Sequence, residues 1–200
     1  MKNFHIEICG VIASGKTTLT QLLGDQKKIS ISPIFENFEI NPFLESFYKN
    51  PAKFSFETEI SFLLQHYHDI KVRKENFLSF ICDFSLELDR SFADVTLLGK
   101  RRNIFSSIAD ELQNEIGLPT NIIFLTCPEN ILLKRIKRRN RKVEESITID
   151  YLIDLKSSIE RRLNLISNQI PIIEINSNQI DFCNSNDDRI DVVNKIISEL

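Results

Sequence analysis

The segment Gly10-Val11-Ile12-Ala13-Ser14-Gly15-Lys16-Thr17 constrains this chain more than any other. It fits GxxxxGK[ST] at every fixed position, follows the apolar run Phe4–Cys9, and opens a helical stretch that Gly24 is placed to stop. Each residue type has a physical reason to be there. The two glycines let the backbone wrap closely around a phosphate. The loop's N–H groups then converge as an anion nest, backed by the N-terminus of the following helix. Lys16 is spaced to reach the β- and γ-phosphates, and the Thr17 hydroxyl to ligate Mg²⁺. Val11, Ile12, Ala13, Ser14 and Thr18 make up the rest of the cradle. A strand, this loop and a helix together predict nucleoside triphosphate binding, with ATP and Mg²⁺ as the expected ligands. A dinucleotide site is disfavoured, because GxGxxG needs glycine at position 12, where Ile12 stands.

The rest of the chain alternates strands and helices. Runs at Ile29–Phe35, Phe77–Cys82, Asn121–Thr126 and Pro171–Ile175 read as strands, the first of them at an edge or bulge because of Pro33. Helical segments are expected over Asn41–Asp69 (with a start at Pro51), over 84–116 with a break near Gly99, over Ile147–Ile166 and over Arg189–Leu200. The expected architecture is a three-layer α/β/α fold with a five-stranded parallel sheet, in a single domain spanning 1–200. At 42% hydrophobic with 15 Phe, the composition supports a packed core. Cys9, Cys82, Cys127 and Cys183 form no CxxC pair and no zinc spacing. Twenty-eight acidic against 25 basic residues give a net charge of −3, which offers no general pull toward nucleic acid or an anionic membrane. No apolar run is long enough to span a bilayer, and Glu7 interrupts the N-terminal apolar stretch. A reduced, cytoplasmic protein is expected.

Three groups of charged residues accompany the loop. Asp83 follows an apolar strand, where an acid can meet Mg²⁺; the alternative is a helix N-cap. Glu36 ends the segment Ile31–Phe35, at the strand ends where ligands of parallel sheets bind; the alternative is an ordinary surface position. Lys134 to Lys142 holds seven cations in nine residues, with Arg135, Arg139 and Lys142 on one helical face (i, i+4, i+7). A lid over a triphosphate (about 135–146) is the favoured reading, ahead of a solvated face or a nucleic-acid patch. His66 and His68, at i and i+2, point to different helix faces and make a poor metal pair.

These pieces, taken in order, resemble the deoxyribonucleoside kinases, close to the bacterial deoxyadenosine and deoxyguanosine branch of the deoxycytidine kinase group. The carriers are the phosphate loop, Phe35-Glu36, Asn41-Pro42-Phe43-Leu44-Glu45-Ser46-Phe47-Tyr48-Lys49-Asn50-Pro51, Asp83-Phe84-Ser85, Asp89-Arg90-Ser91-Phe92-Ala93, Arg135–Arg141 and Asp181-Phe182. The resemblance implies a P-loop NTPase fold with an arginine-rich lid. Glu36 would accept the proton of the 5′-hydroxyl. Tyr48 and Glu144 would hold the 3′-hydroxyl, with Glu145 the alternative if the register slips by one. Asp83 would sit near Mg²⁺. Arg135, Arg139 and Arg141 would contact the nucleotide and the moving phosphoryl group, and Asp181 and Phe182 would pack on adenine. Relatives of this type are commonly homodimers, and apolar residues on more than one face of 56–72 and 100–116 fit that.

Some positions depart from the family pattern. Glu59 stands where a base-reading Gln is usual, His66 where an Arg is common, and Asp89 matches an acid near the base. An ionised Glu59 only accepts hydrogen bonds, which would favour guanine. Phe84 replaces the arginine that follows the acid in many relatives, and Arg90 is a candidate to replace that arginine in space. The expected reaction is ATP-dependent 5′-phosphorylation of a deoxyribonucleoside. The alternatives are a nucleoside monophosphate kinase, disfavoured because residues 35–48 carry no cation for an acceptor phosphate, and a non-catalytic nucleotide-binding protein.

Overall fold

The computed structural model describes residues 3–26, 29–76 and 78–200. Five strands, β1 (His5–Gly10), β2 (Ser32–Ile34), β3 (Phe80–Cys82), β4 (Asn121–Thr126) and β5 (Ile172–Asn176), form one parallel sheet in the order β2-β3-β1-β4-β5. Eight α-helices surround it among the described residues: α1 (Lys16–Gly24), α2 (Leu44–Lys49), α3 (Pro51–Glu75), α4 (Leu86–Thr96), α5 (Gly99–Ile116), α6 (Glu129–Arg139), α7 (Ile149–Ile166) and α8 (Asn186–Glu199). The expected α/β sandwich and its strand count are what the chain adopts.

Alternation along the strands separates the two faces. Ile6, Ile8, Ile123, Leu125, Ile173 and Ile175 pack against Leu19 and Leu23 of α1 and Val192, Val193 and Ile196 of α8. On the opposite face Cys9, Ile122 and Phe124 meet Leu132 of α6 and Leu152, Leu155 and Ile159 of α7. A third cluster joins Phe80, Cys82 and Phe84 to α3, α4 and α5. Each fully buried Ile or Leu contributes about 1.5–3 kcal/mol relative to exposure. Helices cover both faces of the sheet, so β4 is apolar over most of its length, while β1 buries a paired His5 and Glu7 2.8 Å apart.

Several boundaries differ from expectation. β2 and β3 are only three residues long, and Phe77 lies outside the described residues. β2 is the edge strand, where the missing N–H of Pro33 is tolerated. Gly24 ends α1 without adopting a left-handed cap, since Asp25 follows in helical geometry. Its role is close approach: a Cβ there would lie 2.8 Å from Pro33 Cγ. α8 starts three residues earlier than expected, at Asn186, because the Ser185 hydroxyl accepts the Asp188 N–H at 3.2 Å.

The sheet order positions the site. β3 lies between β1 and β2, with Glu7 opposite Cys82 and Cys82 opposite Ile34. The phosphate loop after β1, Asp83 after β3 and Glu36 after β2 therefore emerge side by side at the carboxyl end of the sheet.

Candidate active site

The phosphate loop turns sharply between β1 and α1, with Ala13 and Gly15 at φ 65° and 108°. Gly15 is needed twice over, because a Cβ there would also sit 2.9 Å from the Phe182 ring. The Ser14 hydroxyl is buried in this loop without a protein partner. Lys16 Nζ folds back onto the carbonyls of Gly10 (3.0 Å) and Val11 (3.4 Å). Burial holds its amine below the usual lysine range, against the opposing pull of Glu36 and Asp83.

Asp83 links the loop to the acceptor side. Its Oδ2 accepts the Thr17 hydroxyl at 2.6 Å, and its Oδ1 accepts the Glu36 backbone N–H at 2.6 Å. Burial raises its carboxyl above the usual range, while these two bonds work in the opposite direction. The helix-cap alternative for Asp83 does not hold, because Ser85 caps α4 by accepting the Leu88 N–H at 3.0 Å. A hydroxyl and a carboxylate at the mouth of an anion nest are hard oxygen donors, a set that fits Mg²⁺ completing its shell with phosphate oxygens.

On the acceptor side, Glu36 faces the cleft with its side chain about one-third exposed, and its Oε1 lies 3.2 Å from His66 Nε2. Burial alone would raise the Glu36 carboxyl. His66 outweighs it, helped by Lys16 and Arg141, and holds the group below the usual carboxylate range. His66 Nδ1 lies 3.0 and 2.9 Å from the two oxygens of Asp89. Burial would lower the imidazole pKa, but Asp89 and Glu36 together push it up to about 10. Glu59 is buried beside Thr96, whose hydroxyl is 2.9 Å from Glu59 Oε1 and 2.9 Å from the Phe92 carbonyl. Burial, with no cation among the causes and with Asp89 and Glu36 nearby, pushes its pKa up to about 8. At neutral pH Glu59 is therefore mostly the uncharged acid, which both donates and accepts. The argument for guanine from an ionised carboxylate loses its premise.

The basic side gathers around α6. Arg135 NH2 donates to the Ser177 carbonyl at 2.7 Å and NH1 to its hydroxyl at 3.1 Å, with longer contacts to the Ala13 and Ser14 carbonyls. Arg139 grips both oxygens of Glu144, at 2.6 and 2.5 Å. Arg141 lies 3.7 Å from Glu144 and covers the Phe38 ring at 4.5 Å. The expected shared face of Arg135, Arg139 and Lys142 does not form: α6 ends at Arg139, Asn140 turns left-handed, and Lys142 falls in a short 3-10 turn. Glu144 is buried on the cleft wall whereas Glu145 is exposed and lies outside the cleft. Phe182 is fully buried under Gly15, and Asp181 is exposed and bonded to Asn184. Arg90 does not stand in for an arginine at position 84, because it is buried against Glu87 and pairs with Asp110 at 2.7 Å.

One cleft of about 820 Å³ brings nearly all the expected site residues together. Gly10, Val11 and Ser14 form the loop beneath it, and His66 does not line it at all. His66 is buried and lies behind Glu36 and Asp89. Sequence reasoning missed Phe62, Phe92 and Tyr151 on the wall and Ser177, which receives Arg135. Aromatic residues at helical spacing give no signal that separates a pocket wall from core.

A phosphate nest with a lysine at one end, a row of arginines above it and carboxyl groups at the far end define a phosphotransferase on a P-loop NTPase fold. A family model described as deoxynucleoside kinase matches residues 6–200. The chain is 32% identical over 181 residues to a deoxyadenosine kinase of Dictyostelium discoideum, covering 88% of this chain and 73% of that protein. It is 31% identical over 159 residues to a deoxyguanosine kinase of Bacillus subtilis, covering 78% and 76%. A deoxyadenosine kinase structure from M. mycoides with bound dATP superposes with a TM-score of 0.81 over 98% of this chain and 100% of that one, at 22% identity. This chain belongs to the deoxynucleoside kinase family, whose members are transferases that convert a nucleoside to its monophosphate.

Proposed function

We propose that the protein transfers the γ-phosphoryl group of ATP to the 5′-hydroxyl of a deoxyribonucleoside, with Glu36 as the proton acceptor. The observation that carries this is Asp83, which ties the phosphate loop and the backbone of Glu36 together through two 2.6 Å hydrogen bonds. The new O–P bond forms between the 5′-oxygen and the γ-phosphorus while the bond to the β-phosphate oxygen breaks. The 5′-proton passes to Glu36. An alcohol is a very weak acid, so this transfer comes late, as bonding to phosphorus develops.

Positioning and charge neutralisation supply most of the rate. Lys16 attends the β/γ-oxygens, and Arg135, Arg139 and Arg141 act on the nucleotide and the moving phosphoryl group as a lid over residues 135–146. Thr17 and Asp83 would hold Mg²⁺, which supplies charge neutralisation at the phosphate oxygens when bound. Tyr48 and Glu144 hold the sugar, Glu59 and Asp89 face the base, and the loop at Asp181 lies at the adenine of ATP, with Phe182 supporting Gly15. We extend the reading to a homodimer packed through α3 and α5, which expose Leu64, Val72 and Ile104. A cytoplasmic location fits the four free cysteines.

The test is ADP release with each deoxyribonucleoside, each monophosphate, each ribonucleoside and no acceptor. Turnover with at least one deoxyribonucleoside and none with monophosphates is expected. Glu36→Gln should keep ATP binding and lose about 10²–10⁴-fold in turnover. A near-normal rate in that variant removes Glu36 as the base.

A further inference from the structure

We propose that His66 is a positioning residue for the transfer: from behind the cleft it clamps the Glu36 carboxylate, with Asp89 and Phe84 fixing its ring. The proposal rests on the reading of Glu36 as proton acceptor. His66 is 1% exposed and does not line the cleft, so any effect on the reaction passes through a neighbour. That neighbour is Glu36, whose Oε1 makes an ion-pair contact with Nε2 at 3.2 Å.

The ring has little freedom. It stacks on Phe84 with centroids 4.0 Å apart and planes 7° apart, and Phe62 lies on it at 5.8 Å and 28°. Nδ1 is held by both oxygens of Asp89 at 3.0 and 2.9 Å. Both ring nitrogens thus face carboxylates. A neutral imidazole would turn one lone pair toward an anion, so both nitrogens carry protons and the ring is a cation. The rise of its pKa to about 10 agrees. The charged and titratable groups around the pair are Asp89 from α4, Lys16 from α1, Asp83 after β3, Glu7 from β1, Glu59 on α3 and Arg141 after α6.

The consequence for Glu36 is positional: its backbone is fixed by Asp83 and its carboxylate by His66, on a side chain that lines the cleft. Phe84 is the floor on which this histidine stacks.

The experiment measures kcat and KM for the deoxyribonucleoside and for ATP in wild type, His66→Asn, Glu36→Gln and the double variant. With His66→Asn, kcat near pH 7 should fall about tenfold or more. KM for ATP should not change. In the Glu36→Gln background, His66→Asn should add almost nothing to the loss. An unchanged kcat, or full additivity of the two losses, overturns the proposal. Those results leave Glu36 as the base, whereas an active Glu36→Gln variant defeats the underlying reading instead. Should His66→Asn not fold, NMR of ¹⁵N-histidine wild type decides, since the chain has only 3 His. A His66 imidazolium at pH 7.5 that shifts in Glu36→Gln supports the clamp, and a neutral ring overturns it.

Discussion

Replacing Glu59 by Gln should make the folded protein lose less stability as the pH rises. Glu59 is buried, and its pKa is raised by that burial from about 4.5 to about 8. The folded chain therefore binds this proton more tightly than the unfolded chain. A group raised in this way contributes fully to stability below about pH 4.5, and the contribution is lost as pH climbs toward about 8. Within that window the folded state holds about one extra proton, and the slope is about 1.4 kcal/mol per pH unit. Gln keeps the shape and the partner Thr96 and carries no proton to lose. Between pH 5.5 and 7.5 the variant should gain about 3 kcal/mol on wild type. Other shifted groups, His66 with its window from 6.5 to about 10 among them, titrate in both proteins and cancel to first order in the difference. Urea unfolding at pH 5.5, 6.5 and 7.5 reads the effect directly. Curves that stay parallel across that range would refute a protonated Glu59. The ranking of deoxyribonucleosides at pH 7 should survive the substitution, because a neutral acid and an amide both donate and accept.

Two further outcomes test the packing and the nucleotide side. Gly24→Ala should destabilise the fold by about 1 kcal/mol or more, because a Cβ 2.8 Å from the rigid Pro33 ring costs more than the helix propensity gained; an unchanged midpoint in thermal unfolding would show that β2 shifts freely. Arg135→Lys keeps the charge but loses the paired grip on Ser177, so KM for ATP should rise about 2–12-fold. An unchanged value in a steady-state assay would detach that grip from nucleotide binding.

Local chemistry made the phosphate loop legible, because its pattern depends on eight consecutive residues that fold as one turn. β4 was legible for a similar reason, since helices on both faces demand an apolar run, and β1 was legible from its place before the loop although it buries His5 and Glu7. β2 and β3 came out shorter than their apolar runs, because each pairs over three residues and pairing depends on a neighbour strand distant in sequence. The left-handed Asn140 could have been read from the preference for Asn after a helix, and the early start of α8 from Ser185 at an N-cap.

The chemistry at the acceptor end was hidden for a different reason. Whether Glu59 is charged depends on which groups surround it, and Asp89 comes from another helix and Glu36 from a strand end. Whether His66 reads a base or supports a carboxylate depends on a partner 23 residues later in the chain and another 30 residues earlier. Fixed between Asp89 and the Phe84 ring, the His66 side chain stops behind the cleft wall, where its Nε2 meets the Glu36 carboxylate instead of the open cleft. Glu59 has no such cation beside it, and burial next to two other carboxyl groups therefore raises its pKa to about 8.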